Sequence, residues 1–254
     1  MLLENKTAVV YGAGGSIGGA VARAFAHEGA KVFLAGRTRE KLDAVAAEIA
    51  AAGGVAETAQ VDALDEKAVQ QHVDAVVAQA GRIDVSFNAV WIRGDLQGTR
   101  LVEMPPENFT TPVMTGISTH FLTATAAARQ MIKQRSGTIL TLSSSSSVLS
   151  GRDRRYHLTG GFSTTCAAIE ALSRSLAGEL GPHGVRVVCL RPDAIPETWP
   201  DTAIDAYGYM TAGTALDRLP KLDEVTRAAV FMASDHASAM TGTIANLTCG
   251  SIMD

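Results

Sequence analysis

The stretch 7-TAVVYGAGGSIGGAV-21 decides how this chain folds. Thr7 to Tyr11 is a short apolar run with strand character, glycines end it at Gly12, and an amphipathic helix is predicted from Ser16 to Glu28. A strand followed by a glycine-rich turn and a helix brings backbone N–H groups and the positive helix end up to a pyrophosphate, where side chains would obstruct the approach. A glycine cluster by itself is equally what a tight structural turn needs. Here it opens a strand-helix-strand unit, because a second strand follows over Lys31 to Ala35 and a second helix over Arg39 to Ala51, so cofactor binding is the expectation.

The same alternation runs on from that unit. Strand-like runs lie around Val55 to Val61, Ile83 to Ala89, Thr138 to Leu142, Val185 to Leu190 and Ile244 to Leu247, with helix-like segments between most of them. Strands alternating with helices of this length predict an α/β fold: a doubly wound, Rossmann-like parallel sheet of about seven strands with helices on both faces. With 254 residues, 46% hydrophobic and 19% charged, the chain fits one α/β domain over residues 1–254. The low-complexity run 143-SSSSS-147 follows an apolar strand, which makes it a loop at a strand's carboxyl end, where ligands sit in such sheets.

Composition excludes several partners. A formal net charge of -4 gives no basic excess for nucleic acid. Cys166, Cys189 and Cys249 are odd in number and widely spaced, which argues against a disulfide framework and a zinc site, leaves no metal expected, and fits a reducing cytoplasm. Met1 through Lys6 lead directly into a strand without a basic-then-apolar signal pattern, and no segment has the apolar length of a membrane span. The expectation is a cytoplasmic protein that meets a small-molecule substrate, with neither nucleic acid nor membrane as partner.

On these residues the chain resembles the short-chain dehydrogenase/reductase family from end to end. The family's TGxxxGxG pattern falls on Tyr11, Gly12, Ser16 and Gly18, so its threonine and middle glycine are replaced. The Ser16 hydroxyl is placed to cap the helix or to bond a phosphate. The second strand ends in Gly36-Arg37-Thr38, where an acidic residue would bind ribose hydroxyls and a guanidinium pairs with a 2′-phosphate, so Arg37 points to NADP(H) rather than NAD. The alternative for Arg37 is a solvated arginine opening a helix, although a cation there is mildly unfavourable. The resemblance implies cofactor contacts at Gly12, Gly14, Ser16, Ile17, Gly18, Arg37, Thr38, Asp62, Ala63, Asn88 and Ile195. Asp62 takes the adenine-contact position, with Asp65 better placed to cap the following helix. Asn88-Ala89-Val90-Trp91 matches the family's NNAG only at its first residue, and Pro192-Asp193-Ala194-Ile195 only begins as the family's PG does.

The catalytic set is where the chain departs from the family. The helix 160-GGFSTTCAAIEALSRSLAGELG-181 fixes a register that puts the family's YxxxK on Phe162 and Cys166, two residues of one helical face. Phenylalanine has no proton to give, and cysteine lacks the fixed charge with which lysine depresses a tyrosine pKa and holds the nicotinamide ribose. Anchoring on Phe121 and Gly137 places the family's asparagine at Gly116. The serine remains, with Ser144 the best positional match. The loop from Ser144 to Phe162 is longer than the family spacing and includes 152-RDRRYH-157. Tyr156 or His157 would there be a substitute acid, with the arginines holding an anionic substrate; the competing reading is a solvated basic loop, preferred because loop position alone does not establish reach. His120, one turn after Gly116, is within reach of the same pocket, but a lone histidine on a helix is more often packing or surface than catalyst, and that reading is preferred.

Two function classes follow. One is an NADP(H)-dependent oxidoreductase acting on a small carbonyl or conjugated organic substrate without the usual Tyr/Lys chemistry. The other is a noncatalytic nucleotide- or metabolite-binding relative or partner subunit. Small and apolar residues Ala167, Ala168, Ala171 and Leu172 on the long helix, together with the resemblance, predict a homotetramer.

Overall fold

A computed structural model describes residues 1–149, 153–199 and 205–253, without the side chains of Tyr156, Asp205 and Ala206. Seven strands form one parallel sheet: β1 (Thr7–Tyr11), β2 (Lys31–Gly36), β3 (Val55–Gln60), β4 (Val85–Asn88), β5 (Gly137–Leu142), β6 (Val185–Pro192) and β7 (Ile244–Leu247). Their spatial order is β3-β2-β1-β4-β5-β6-β7. The sheet therefore grows outward from β1 on one side and from β4 on the other, and the point where the order reverses opens a crevice at the strands' carboxyl ends.

The helices are α1 (Ser16–His27), α2 (Arg39–Ala51), α3 (Glu66–Ala80), α4 (Pro106–Gln134), α5 (Asp153–Tyr156), α6 (Gly160–Leu180), α7 (Asp205–Thr211) and α8 (Leu222–Ala233). Side chains of one strand alternate between two cores. On β1, Ala8 and Val10 pack with Phe25 of α1, Leu42 of α2 and Ala229 of α8, whereas Val9 and Tyr11 pack with Val73 of α3, Ala127 of α4 and Leu180 of α6. This double burial is why β1 reads as a continuous apolar run, while the edge strand β3 alternates exposed and half-buried residues. Complete burial of a side chain such as Phe25 contributes about 2–3 kcal/mol.

Local chemistry fixes the ends. Asp65 caps α3 by accepting hydrogen bonds from Lys67 N and Ala68 N, as its position predicts, and Gly81 ends the helix in the left-handed region at φ 78°. At the amino ends of the strands, buried Asp84 accepts Thr7 N at 2.8 Å and Arg82 Nη2 at 2.6 Å, tying β1 to the start of β4. Among the described residues no helix is long and apolar enough to cross a membrane.

Candidate functional site

The crevice is a cleft of about 830 Å³. Its walls come from the start of α1, the turns after β4, β5 and β6, the first turn of α6, and α5 and α7, which close over it from outside the sheet.

The glycine turn forms one wall. Gly12 has φ +75°, and a Cβ there would lie 2.5 Å from the Ala89 carbonyl oxygen, so only glycine lets β1 leave the sheet this close to the end of β4. Gly14 lies against Lys41 of α2, and Gly18 packs behind the turn on the Gly12 carbonyl. Ser16 and Ile17 line the cleft. Ser16 does not cap α1: the cap position is Gly15, no side chain bonds the first turn, and that turn carries no acidic residue. The positive end of a 12-residue helix thus borders the cleft with no capping side chain among the described residues.

Further out, Arg37 and Thr38 are exposed at the tip of β2, and Thr38 occupies the cap position of α2 without a side-chain bond. The Arg37 carbonyl accepts Gln60 Nε2 at 2.9 Å, and its guanidinium has no hydrogen bond or ion pair among the described residues. Asp62 is exposed and turns Oδ1 onto Leu64 N at 3.0 Å; Ala63 is buried in the α3 core. Asn88 lies inside the protein instead of on the cleft wall, because its Nδ2 donates to Thr123 Oγ1 of α4 at 2.9 Å and its Oδ1 accepts Val90 N at 2.9 Å. Ile195, the last cofactor position named from sequence, borders the cleft.

Phe162 and Cys166 share a helical face but not an environment. Phe162 lies on the cleft wall, one turn above Cys166. The catalytic position that the register assigns to Cys166 is corrected by the structure: it does not reach the cleft but is fully buried among Ile92, Ile169 and Cys189, and burial, with Cys189 and Glu170 close by, pushes its thiol up. The side chain is short, and Ile92 from the turn after β4 closes over it. At Gly116, a Cβ would clash with Thr165 Cγ2, so α4 and α6 approach closely enough to leave no room for asparagine. His120 is buried and outside the cleft: its Nδ1 donates to the Gly116 carbonyl at 2.9 Å, and its Nε2 accepts the Leu142 N–H at 3.4 Å. Burial pulls its imidazole down to about 4, with the Gly116 bond acting the other way.

The serine run is held by an ionic framework that the sequence did not reveal. Glu170 of α6 accepts Arg191 Nε at 2.9 Å, Arg191 Nη2 at 3.0 Å, Ser143 Oγ at 2.9 Å and Ser147 Oγ at 2.6 Å. Burial raises the Glu170 carboxyl, but these donors together outweigh it and hold the group below its ordinary value. Asp193 in turn accepts Ser145 Oγ at 2.9 Å, Ala194 N at 2.8 Å and the Ser251 hydroxyl. Between these anchors Ser144 borders the cleft, its hydroxyl donating to Ser146 Oγ at 3.3 Å. The one signal available in sequence was a charged residue on each buried element, Glu170 within an apolar helix face and Arg191 at the end of an apolar strand.

The inserted loop contributes Asp153 and His157 to the cleft, joined by Tyr209 of α7. Tyr209 Oη donates to Asp153 Oδ1 at 3.5 Å, and its ring centroid lies 5.5 Å from that of His157. Arg154 points away from the role of anion holder: its Nε bonds the Leu149 carbonyl at 3.0 Å, its Nη2 the Ser147 carbonyl at 3.2 Å and its Nη1 Ser163 Oγ at 3.5 Å. The Tyr156 side chain and Arg152 lie outside the described residues.

Comparison with known proteins agrees over nearly the whole chain. The family described as enoyl-(acyl carrier protein) reductase matches residues 12–251. L-Rhamnose 1-dehydrogenase (NAD(P)(+)) of Azotobacter vinelandii is 34% identical over 252 residues, covering 95% of this chain and 94% of the relative. Momilactone A synthase of Oryza sativa subsp. japonica is 31% identical over 249 residues, covering 94% and 87%. Among solved structures, a putative short-chain dehydrogenase/reductase from Burkholderia xenovorans superposes with a TM-score of 0.89 at 27% identity over 99% of both chains. NAD+-bound xylitol dehydrogenase does so with a TM-score of 0.87 at 26% identity, over 98% of this chain and 100% of the other. Sequence and chain path agree from the glycine turn to the last strand, and the chain belongs to the short-chain dehydrogenase/reductase family of oxidoreductases.

Proposed function

We propose that this chain is an NADP(H)-dependent oxidoreductase that acts on a small carbonyl or conjugated organic substrate without the Tyr/Lys pair. One observation carries the reading: the N-terminus of α1, uncapped among the described residues, and the Ser144–Phe162 wall border a single cleft. The residues fit a dinucleotide at the phosphate end, where the first turn of α1 has neither a capping side chain among the described residues nor an acidic residue of its own. Arg37 would pair with a 2′-phosphate, with Thr38 beside it and Asp62 and Ala63 near the adenine. When bound, reduced nicotinamide supplies a hydride, and the protein's part is to orient the reactants and govern the proton.

Ile195 and Phe162 keep water from the reacting end, and Asn88 holds the turn after β4 against α4. Ser144 would donate a hydrogen bond to the substrate oxygen, polarising it. Phe162 cannot protonate that oxygen, so the proton comes from water, from His157 or from Tyr156 in the inserted loop. This chemistry favours conjugated or activated substrates, whose reduction needs little acid assistance. We further propose a homotetramer in the cytoplasm: the exposed residues Ala167 and Ala171 on α6 suit close packing between subunits, and the three cysteines are free thiols.

Direct titration of NADPH and NADH, with NADPH consumption across a carbonyl and enone panel, tests the reading. Tight NADPH binding with turnover of conjugated members is expected. Absence of both would leave a noncatalytic relative.

A further inference from the structure

The cleft wall carries a carboxylate, Asp193, where the family's motif carries glycine. It follows the last residue of β6 and precedes Ala194 and Ile195, which also border the cleft. Its side chain is built into the wall. Ser145 Oγ donates to Oδ1 at 2.9 Å, Ala194 N donates to the same oxygen at 2.8 Å, and the Ser251 hydroxyl donates to Oδ2. These donors come from the turn after β5, the turn after β6 and the segment beyond β7, so three parts of the chain fix one carboxylate beside Ser144 and Ile195.

All three donors are neutral. Such donors hold a carboxylate in place without cancelling its charge. Among the described residues Asp193 makes no ion pair, and Arg191, two residues before it, meets the Glu170 carboxylate through Nε and Nη2. At 8% exposed, Asp193 is little screened by water. The position that carries lysine in the family is Cys166, a thiol that burial keeps protonated. Both departures from the family move the charge at this end of the cleft in the negative direction.

An oxidised nicotinamide ring is a cation and a reduced one is neutral. A fixed carboxylate at the reacting end distinguishes the two, because only the cation gains from Coulomb attraction. We propose that Asp193 selects the oxidation state of the cofactor: it strengthens binding of the cationic ring, leaves the neutral ring unaffected, and so makes the bound reduced form a stronger hydride donor. This deepens, and rests on, the reading of the cleft as the dinucleotide site of an oxidoreductase. A stronger donor suits a wall on which Phe162 offers no proton.

The test is calorimetric titration of the full chain with NADP+, NADPH and 2′-phospho-ADP-ribose, a compound that lacks the nicotinamide ring. NAD+ and NADH are titrated alongside, so that the outcome does not hinge on the 2′-phosphate. The wild type is expected to bind the oxidised form at least as tightly as the reduced one. Asp193→Asn removes the charge, while its amide still accepts from Ala194 N and Ser145 and donates to the Ser251 hydroxyl. It should weaken NADP+ about tenfold and leave NADPH and the ringless compound within about twofold, which raises the potential of the bound two-electron couple by about 30 mV. Asp193→Glu should retain the preference for the oxidised form.

Tighter binding of NADPH than of NADP+ by the wild type overturns the inference. So does an Asp193→Asn protein that still binds the ringless compound but loses NADP+ and NADPH equally, or loses neither. If Asp193→Asn fails to bind the ringless compound, the wild-type ratio decides between the same two outcomes. Absence of binding by every dinucleotide removes the oxidoreductase reading and the inference with it, whereas a wild type that favours NADPH removes the inference alone.

Discussion

Arg191 of β6 and Glu170 of α6 form a buried two-pronged ion pair, with Nε 2.9 Å from Oε1 and Nη2 3.0 Å from Oε2 and both side chains at most 4% exposed. The pair also organises the loop above it, since Ser143 and Ser147 donate to the same carboxylate and Ser144 lies between them. Removing one partner strands the other charge in the interior. Arg191→Met is therefore expected to lower unfolding free energy by about 3–5 kcal/mol, read from urea denaturation. Glu170→Gln should cost a similar amount, because the guanidinium keeps its charge in the interior and the amide nitrogen turns a donor toward groups that themselves donate. A loss under about 1 kcal/mol for Arg191→Met would show that the pair is not what anchors the loop.

Two buried histidines set the acid response. Burial pulls both His72 and His120 down to about 4, and the His72 Nε2 is buried without a hydrogen-bond partner among the described residues. Unfolded histidine titrates near ~6.5, so the unfolded state binds more protons between that value and the folded one. Stability contributed by keeping these rings neutral is full above the unfolded pKa and is lost as pH falls toward 4, by roughly 3 kcal/mol for each. In urea midpoints taken across this window, His120→Gln should flatten the slope by nearly one proton. An unchanged slope would mean that His120 is not neutral in the fold.

Arg37 gives the cofactor prediction. Its exposed guanidinium, free of partners among the described residues, is available for a phosphate. Arg37→Ala should weaken NADPH about 10- to 100-fold, the range of a charge-assisted bond, and leave NADH within about twofold. Equal losses for both cofactors would place the 2′-phosphate elsewhere.

The fold was legible because its signals are local. The glycine turn, the doubly buried β1 and the Asp65 cap each declare themselves within a few residues. The register of α6 was legible too, and it put Phe162 on the cleft. What sequence could not give was depth. Whether Cys166 meets the cleft depends on Ile92 and Cys189, which arrive from the turn after β4 and from β6, and whether Ser16 caps α1 depends on where the first turn begins. Trp199 and Tyr209 reach the cleft because the chain after β6 returns over it, a tertiary event with no periodic signature.

That depth changes how restoration of the family's chemistry should behave. Phe162→Tyr adds a hydroxyl on a cleft wall and should be tolerated within about 1 kcal/mol. Cys166→Lys places an ammonium beneath Ile92 and beside Cys189 and Ile169, and should destabilise by at least about 2 kcal/mol. Gly116→Asn should behave similarly, since Thr165 occupies the space. Denaturation of the three single variants checks the ordering, and a stable Cys166→Lys protein would show that the pocket opens to that position.

The central claim is reductive chemistry without the family's Tyr/Lys pair, and the most direct measurement is NADPH consumption by the wild-type protein near neutral pH with matched saturated and conjugated ring ketones. The account predicts consumption with the conjugated compounds, at least about tenfold slower after Ser144→Ala, and little or none with the saturated ones. Rapid turnover of saturated ketones that survives Ser144→Ala would contradict it, because a competent acid would then have to reside elsewhere in the cleft.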